Sequence, residues 1–218
     1  LQFHLLITAF SGLALSSAIE EGRQAKTLLR TQSALGKALS QTGSMDEAMG
    51  IALSIAMTLE DVDCGAVHKT GPSGELDLVA QHGLTEELLQ EGGHYEADSF
   101  YASMAAEAKP IFLPFSLARR SISLFTKGNF KGLAFLPLAQ EETILGCFTV
   151  ASLNSEHFHV HTRNALFALT NQLCNVLVRL NAQEGLIKSE QRLRRLIQNT
   201  SEGYMLLSPG FEIMDVNR

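Results

Sequence analysis

The stretch DCGAVHKTGPSGELDLVAQHG, Asp63 to Gly83, decides the fold. Cys64 to Thr70 is short and alternates apolar with polar residues, as does Leu76 to Gly83, and Gly71-Pro72-Ser73-Gly74 between them supplies a turn. Two alternating runs across a Gly/Pro turn predict an antiparallel hairpin. A second pair lies further on, Lys131 to Ala139 (KGLAFLPLA) and Thr143 to Ser152 (TILGCFTVAS), joined by Gln140-Glu141-Glu142. Between the hairpins, Thr85 to Gln90 reads as a helical piece ended by Gly92-Gly93. Ser99 to Ala108 reads as a second short helix stopped by Pro110. Pro110 to Pro114 is an edge strand, because proline removes a ladder donor and is excluded from sheet centres.

Helices flank this core. Ser44 or Asp46 caps a helix that Glu47 supports electrostatically, with Met49, Leu53, Ile55, Met57 and Leu59 as its apolar face. Ala25 to Ala38 has a helical pattern, and a long element runs from about His161 to Gln198. The order helix, two strands, small helices, edge strand, two strands, long helix predicts an α+β fold. An antiparallel sheet should carry the terminal helices on one face.

The composition agrees. The 218 residues are 45% hydrophobic and 18% charged, which excludes a disordered polar tail, and 17 basic against 23 acidic residues leave a net charge of −6. Without a basic excess there is nothing to neutralise a phosphate backbone, so nucleic acid is not an expected partner. Cys64, Cys147 and Cys174 form no CxxC and are read as reduced thiols.

Leu1 to Ile19 carries no formal charge and ends at Glu20 and Glu21, followed by Arg23, Lys26 and Arg30. It is expected to be a membrane helix that has lost its beginning, with the remainder on the cytoplasmic side of the inner membrane. The alternative is a helix buried on the sheet. Arg218 falls inside a strand-like pattern, so both ends are expected to be cut from a longer protein.

The middle of the chain resembles a GAF domain. The stretches that carry the resemblance are SMDEAMGIAL, DCGAVHKTGPSGELDLVAQHGL, KPIFLP, GLAFLPLAQEETILGCFTVAS and LTNQLCNVLVRL. AFSGLALSSAIEEGRQAKTLLR is similar to the end of a MASE-type membrane sensor segment, with Glu21, Arg23, Ala25 and Arg30 matching and Gly22 and Lys26 departing. Ser189 to Arg218 resembles the opening of a PAS domain, with strands GYMLLS and FEIMDVN around Pro209-Gly210 and Asn217 at the family's usual Asn.

These resemblances imply five parts. Residues 1–22 end a transmembrane helix or membrane sensor domain, 23–43 form a juxtamembrane linker helix, and 44–182 are the GAF domain. Residues 183–198 are a signalling helix and 199–218 the start of a truncated PAS domain. The combination resembles bacterial membrane sensor histidine kinases of two-component systems. Alternatives are the sensory part of a diguanylate cyclase or phosphodiesterase, or a thiol-based GAF methionine sulfoxide reductase.

Two candidate sites follow. A cavity between sheet and short helices, as the resemblance implies, would be lined or filled by Tyr95, Phe100, Tyr101, Phe112, Phe135 and Phe148, with Arg119 and Arg120 facing any anionic ligand. Leu166, Leu169, Leu173, Val176 and Leu180 repeat at coiled-coil spacing, interrupted by Gln183 and restored at Ile187. They are expected to pair the chain into a homodimer through the long helix; the alternative is a stripe facing the domain's own core.

No cofactor, metal or catalytic residue is called for. His157, His159 and His161 alternate but sit at a helix start, and the NSEHF run only loosely echoes the cyclic-nucleotide pattern of some GAF domains. No Walker loop, GxGxxG, HExxH or kinase phosphoacceptor box occurs.

Overall fold

A computed structural model describes Gly36 and residues 42–114, 129–141, 143–198, 205–209 and 213–216. The expected membrane helix, the Ala25–Ala38 helix apart from Gly36, and Arg119 and Arg120 lie outside the described residues. The elements are α1 (Met45–Ala56), β1 (Cys64–Thr70), β2 (Leu76–His82), α2 (Glu86–Gly92), β3 (His94–Tyr95) and α3 (Phe100–Ala106). There follow β4 (Ile111–Pro114), β5 (Gly132–Gln140), β6 (Thr143–Ser152), α4 (Val160–Gln198), β7 (Met205–Leu207) and β8 (Ile213–Val216). The chain forms two compact units that part between Val178 and Arg179, inside α4.

The first unit is built on a six-stranded sheet of order β3-β2-β1-β6-β5-β4, antiparallel throughout. Both expected hairpins form, and the Pro-flanked strand β4 takes an edge. β3 was not foreseen, because its two residues are too few to show alternation. In the β1–β2 turn Gly71 N–H donates to the Glu75 carbonyl at 2.8 Å, and Gly74 adopts φ +95°, a conformation glycine accepts without a Cβ penalty.

The central strands read as apolar runs because both sheet faces are covered. On one face Val67, Ala134, Leu136, Leu138, Phe148 and Val150 are buried. α1 packs on that side: a Cβ placed at Gly65 would stand 3.1 Å from Leu53 Cδ1, and one at Gly50 would stand 4.0 Å from Ala80 Cβ. The N-terminal stretch of α4 covers it as well, with Leu166, Leu169, Leu173 and Leu177 buried and Phe167 meeting Phe112 of β4 at 5.3 Å. The opposite face carries Cys64, Leu76, Leu133, Phe135, Cys147 and Ala151, packed with Leu88 of α2 and Tyr101, Ala102, Met104 and Ala105 of α3.

Ser44 stands at the N-cap of α1 as expected, but its side chain accepts no capping hydrogen bond. The cap that does form is at α3, where Ser99 Oγ accepts from Ala102 N–H at 3.2 Å. Asp63, just before β1, holds the exit of β6: its Oδ2 accepts from Leu153 N–H at 2.7 Å and from Ser152 Oγ–H at 3.2 Å. Asp61 Oδ2 accepts from His159 N–H at 3.2 Å, and Thr162 Oγ1–H donates to the Glu60 carbonyl at 2.9 Å. The approach to β1 is thereby tied to the start of α4.

Two irregularities mark the ladders. Val67 pairs with Ala80 and His68 with Leu78, so Val79 is an extra residue on β2. Leu138 pairs with Gly146 and Ala139 with Ile144, which leaves Leu145 extra on β6. Beside the second bulge, a Cβ on Gly146 would overlap the His68 carbonyl oxygen, backbone against backbone.

Gly146→Ala is therefore expected to destabilise the domain by about 2–3 kcal/mol, the range for overpacking a closed interior. Gly43→Ala, whose added Cβ meets nothing within 4 Å, should lie within about 0.5 kcal/mol of the parent. Paired urea melts check both, and equal midpoints would show that the β1–β6 approach has slack.

Candidate functional site beneath the sheet

A partly enclosed cavity of about 40 Å³ lies between the sheet and the short helices. Ala66 and His68 of β1, Leu88 and Gly92 of α2, Tyr95 of β3, Tyr101 of α3, Leu133 of β5 and Thr149 of β6 are among the residues around it. No Lys, Arg, Asp or Glu lines it among the described residues.

His68 is the polar member of an otherwise apolar row. Strand alternation places Cys64, Ala66 and His68 on one face of β1, and His68 is 4% exposed. Its Nε2 lies 2.7 Å from the Gly92 carbonyl at the end of α2. A carbonyl only accepts, so Nε2 carries the proton and Nδ1 presents a lone pair. Nδ1 is buried and has no hydrogen-bond partner among the described residues. Burial pushes the His68 pKa below its ordinary value, so the ring is neutral.

Aromatic rings continue from it. His68 and Tyr95 have centroids 5.2 Å apart, Tyr95 stacks on Tyr101 at 4.2 Å, and Tyr101 meets Phe135 at 6.4 Å. Burial raises both phenols above their ordinary range, so they are neutral at physiological pH. The row spans the sheet face from β1 to β5.

Of the eight residues proposed for this cavity, Tyr95 and Tyr101 line it and Phe135 packs in the same apolar cluster. Phe148 does not face it: neighbouring Cys147 belongs to the cavity-side cluster, so alternation turns Phe148 toward the helix layer. Phe100 is 50% exposed at the start of α3. Phe112 does not line it either, meeting Phe158 and Phe167 of the opposite face, and Arg119 and Arg120 lie outside the described residues. Reading the sequence alone missed His68; its signal was a polar residue at an inward position of an apolar strand.

The thiols are protonated. Burial, with Asp63 adding repulsion, pushes Cys64 up to about 12; burial alone pushes Cys147 up to about 12 and Cys174 up to about 11. A thiolate nucleophile needs the opposite setting, so nothing here favours sulfoxide-reductase chemistry. Among the described residues no three His, Cys, Asp or Glu side chains gather as for a metal. His159 leans on Asp61 instead, Nε2 to Oδ2 at 3.8 Å. Phe158 packs edge-on against Phe112 at 6.0 Å, so the NSEHF run serves the turn into α4 and does not line the cavity.

The coiled-coil residues divide. Leu166, Leu169, Leu173 and Leu180 are buried within a single chain, and Val176 is half-buried. From Asn181 to Leu196 every side chain of α4 is exposed, including Leu186 at 64%, Ile187 at 53%, Leu193 at 56% and Leu196 at 60%. No helix among the described residues is long and apolar enough to cross a membrane.

The fold is similar to that of solved structures. The GAF domain of a Coxiella burnetii phosphoenolpyruvate-protein phosphotransferase superposes with a TM-score of 0.60 at 16% identity, covering 74% of this chain and 98% of that one. The chain has the GAF fold. The GAF domain of a putative sensor histidine kinase from Pseudomonas syringae pv. tomato matches at TM-score 0.59 and 17% identity, over 79% and 99% of the two chains. The chromophore-binding domain of a bacteriophytochrome from R. palustris matches at 0.58 and 10%, over 74% and 64%. No protein-family model and no curated protein sequence matches the chain. In the GAF frame, the cavity occupies the space between the sheet and its short helices.

Native protein should leave all three cysteines unmodified by a thiol-specific chromogenic disulfide, with three equivalents reacting after unfolding. Rapid labelling of Cys64 or Cys147 in the native state would reopen thiol chemistry. The histidines give a second check. Asp77 Oδ1 lies 2.7 Å from exposed His94 Nδ1, a hydrogen bond that raises the His94 pKa above 6.5. Its contribution is full below pH 6.5 and is lost as the pH rises through the raised folded value. His68 works in the opposite sense: its contribution is full above pH 6.5 and is lost as the pH falls. Imidazole titrations by NMR should place His94 above and His68 below the ordinary value, and Asp77→Asn should bring His94 down.

Proposed function

We propose that this GAF-fold domain is a sensory, signal-relaying module of a membrane-bound bacterial sensor histidine kinase. Its cytoplasmic cavity would be the input and α4 the output. The observation that carries this reading is the two-sidedness of the central strands. Successive residues Cys147 and Phe148 face the cavity cluster and the helix layer respectively, so a displacement at the cavity displaces side chains under α4 within one residue step. The likeness to the Pseudomonas syringae GAF domain of a putative sensor histidine kinase supports the kinase as parent. A cyclic-di-GMP enzyme as parent would use the same sensory part. Residues 1–22 as a membrane anchor and 199–218 as the start of a PAS domain complete the proposed arrangement; the β7–β8 hairpin accords with such a start.

The output half of α4 supports a homodimer. A helix of this length with every side chain exposed is marginal in water without a partner. Ala182, Leu186, Ser189, Leu193 and Leu196 recur at alternating four- and three-residue steps, as a two-stranded coiled coil requires. This stripe is offset from the one through Leu166 and Leu173, which the chain buries itself.

Sedimentation of the segment from Ala25 to Thr200 should show a dimer. Leu186→Glu with Leu193→Glu should shift it to monomer by at least tenfold in dissociation constant and leave the thermal midpoint of the domain within about 2 °C. A strict monomer at high concentration would refute the paired-helix relay.

A further inference from the structure

We propose that the cavity is a site for a small neutral ligand of about four heavy atoms, apolar but for one O–H or N–H donor that His68 Nδ1 accepts. The inference rests on the reading of the cavity as the sensory input, and it names what that input recognises.

Three observations fix the ligand's chemistry. The walls set its polarity: the lining is mostly aliphatic and aromatic, joined by Cys64 and Thr149, with no charged side chain among the described residues. None of the described lining residues offers a counter-ion to an anionic ligand, and a buried charge without one is costly. The imidazole sets the polar group. Nε2 is committed to the Gly92 carbonyl, and the buried Nδ1 that remains has a lone pair and no proton. It rewards a donor and repels an acceptor. The volume sets the size. About 40 Å³ holds roughly three or four heavy atoms, at ~10–15 Å³ per water-sized sphere. A short-chain alcohol satisfies all three conditions; a tetrapyrrole or a nucleotide, charged and far larger, fails the first and the third.

The position of His68 gives the ligand a mechanical purchase. One ring nitrogen is bound to the end of α2, and the ring lies 5.2 Å from Tyr95, which stacks on Tyr101 of α3. A donor arriving at Nδ1 fixes the imidazole, and with it the α2 terminus and the aromatic row.

The test compares propan-2-ol with acetone, which share a skeleton of four heavy atoms and differ in the donor. Imidazole-¹⁵N-labelled full-length chain is titrated with each. Propan-2-ol should shift His68 Nδ1 saturably, with acetone binding at least tenfold more weakly, as expected for the loss of one buried hydrogen bond. Ala66→Val, which fills the cavity and leaves His68 in place, should abolish the response without a large change in thermal midpoint. His68→Phe, followed through the ring signals of Tyr95 and Tyr101, should bind the two solvents equally. Equal affinities in the parent chain, a shift that survives Ala66→Val, or no saturable response with a long-lived water beside Nδ1 would each overturn the proposal. A parent protein whose output ignores a bound alcohol would refute the sensory reading and leave the binding site standing.

Discussion

The pairing of β1 with β6 is the contact on which the first unit depends. Residues Cys64–Lys69 lie against Gly146–Ala151, joining a hairpin from the first half of the domain to one from the second. All other strand pairings are within or beside one hairpin and form at short range; this one closes a loop of some eighty residues and bears most of the ordering entropy. Its fittings are correspondingly close. Gly146 allows the backbone of β6 to approach the His68 carbonyl, and Asp63 holds the chain as it leaves β6. If the two strands were separated, the cavity would lose two of its walls and α4 the floor under its first turns.

The same pairing gives the domain its two working surfaces. Because β1, β5 and β6 are covered above and below, each backbone position separates a cavity residue from a residue of the helix layer. Packing at interior density makes such a partition stiff, so strain on one side is passed on more readily than it is absorbed. The cavity side carries the polar exceptions, His68 and the stacked tyrosines. The helix side is mostly aliphatic, with Phe148 and with Thr170, whose hydroxyl donates to the Leu166 carbonyl.

Most of the fold was legible in the residues. The two alternating hairpins, the Pro-flanked edge strand and the long helix all form close to their expected bounds, since each depends on local periodicity or on proline's missing donor. The site was less legible. Tyr95 and Tyr101 were found because buried aromatics between irregular segments stand out. His68 was missed because its importance comes from Gly92, 24 residues away, taking one ring nitrogen. Phe148 was misplaced because an aromatic in an apolar run gives no hint of which covered face it serves. The heptad in α4 posed a similar ambiguity: the same spacing serves a core-facing stripe and a partner-facing one, and Leu166 to Leu180 is largely spent on the former.

The extra residue Val79 in β2 has a further implication, for length rather than composition. Leu76 and Leu78 share the face of Thr70 and His68, whereas Ala80, opposite Val67, has crossed to the side of α1. The strand thus changes its inward parity partway along, beside the imidazole. Exchanges of one side chain for another in β2 disturb a single contact. Removal of Val79 would leave Leu78 and Ala80 on the faces they now occupy in an unbroken ladder, whereas removal of a residue elsewhere in the strand would reverse the faces on one side of the loss. The bulge is thus the one position in β2 where the strand can lose a residue and keep its two faces.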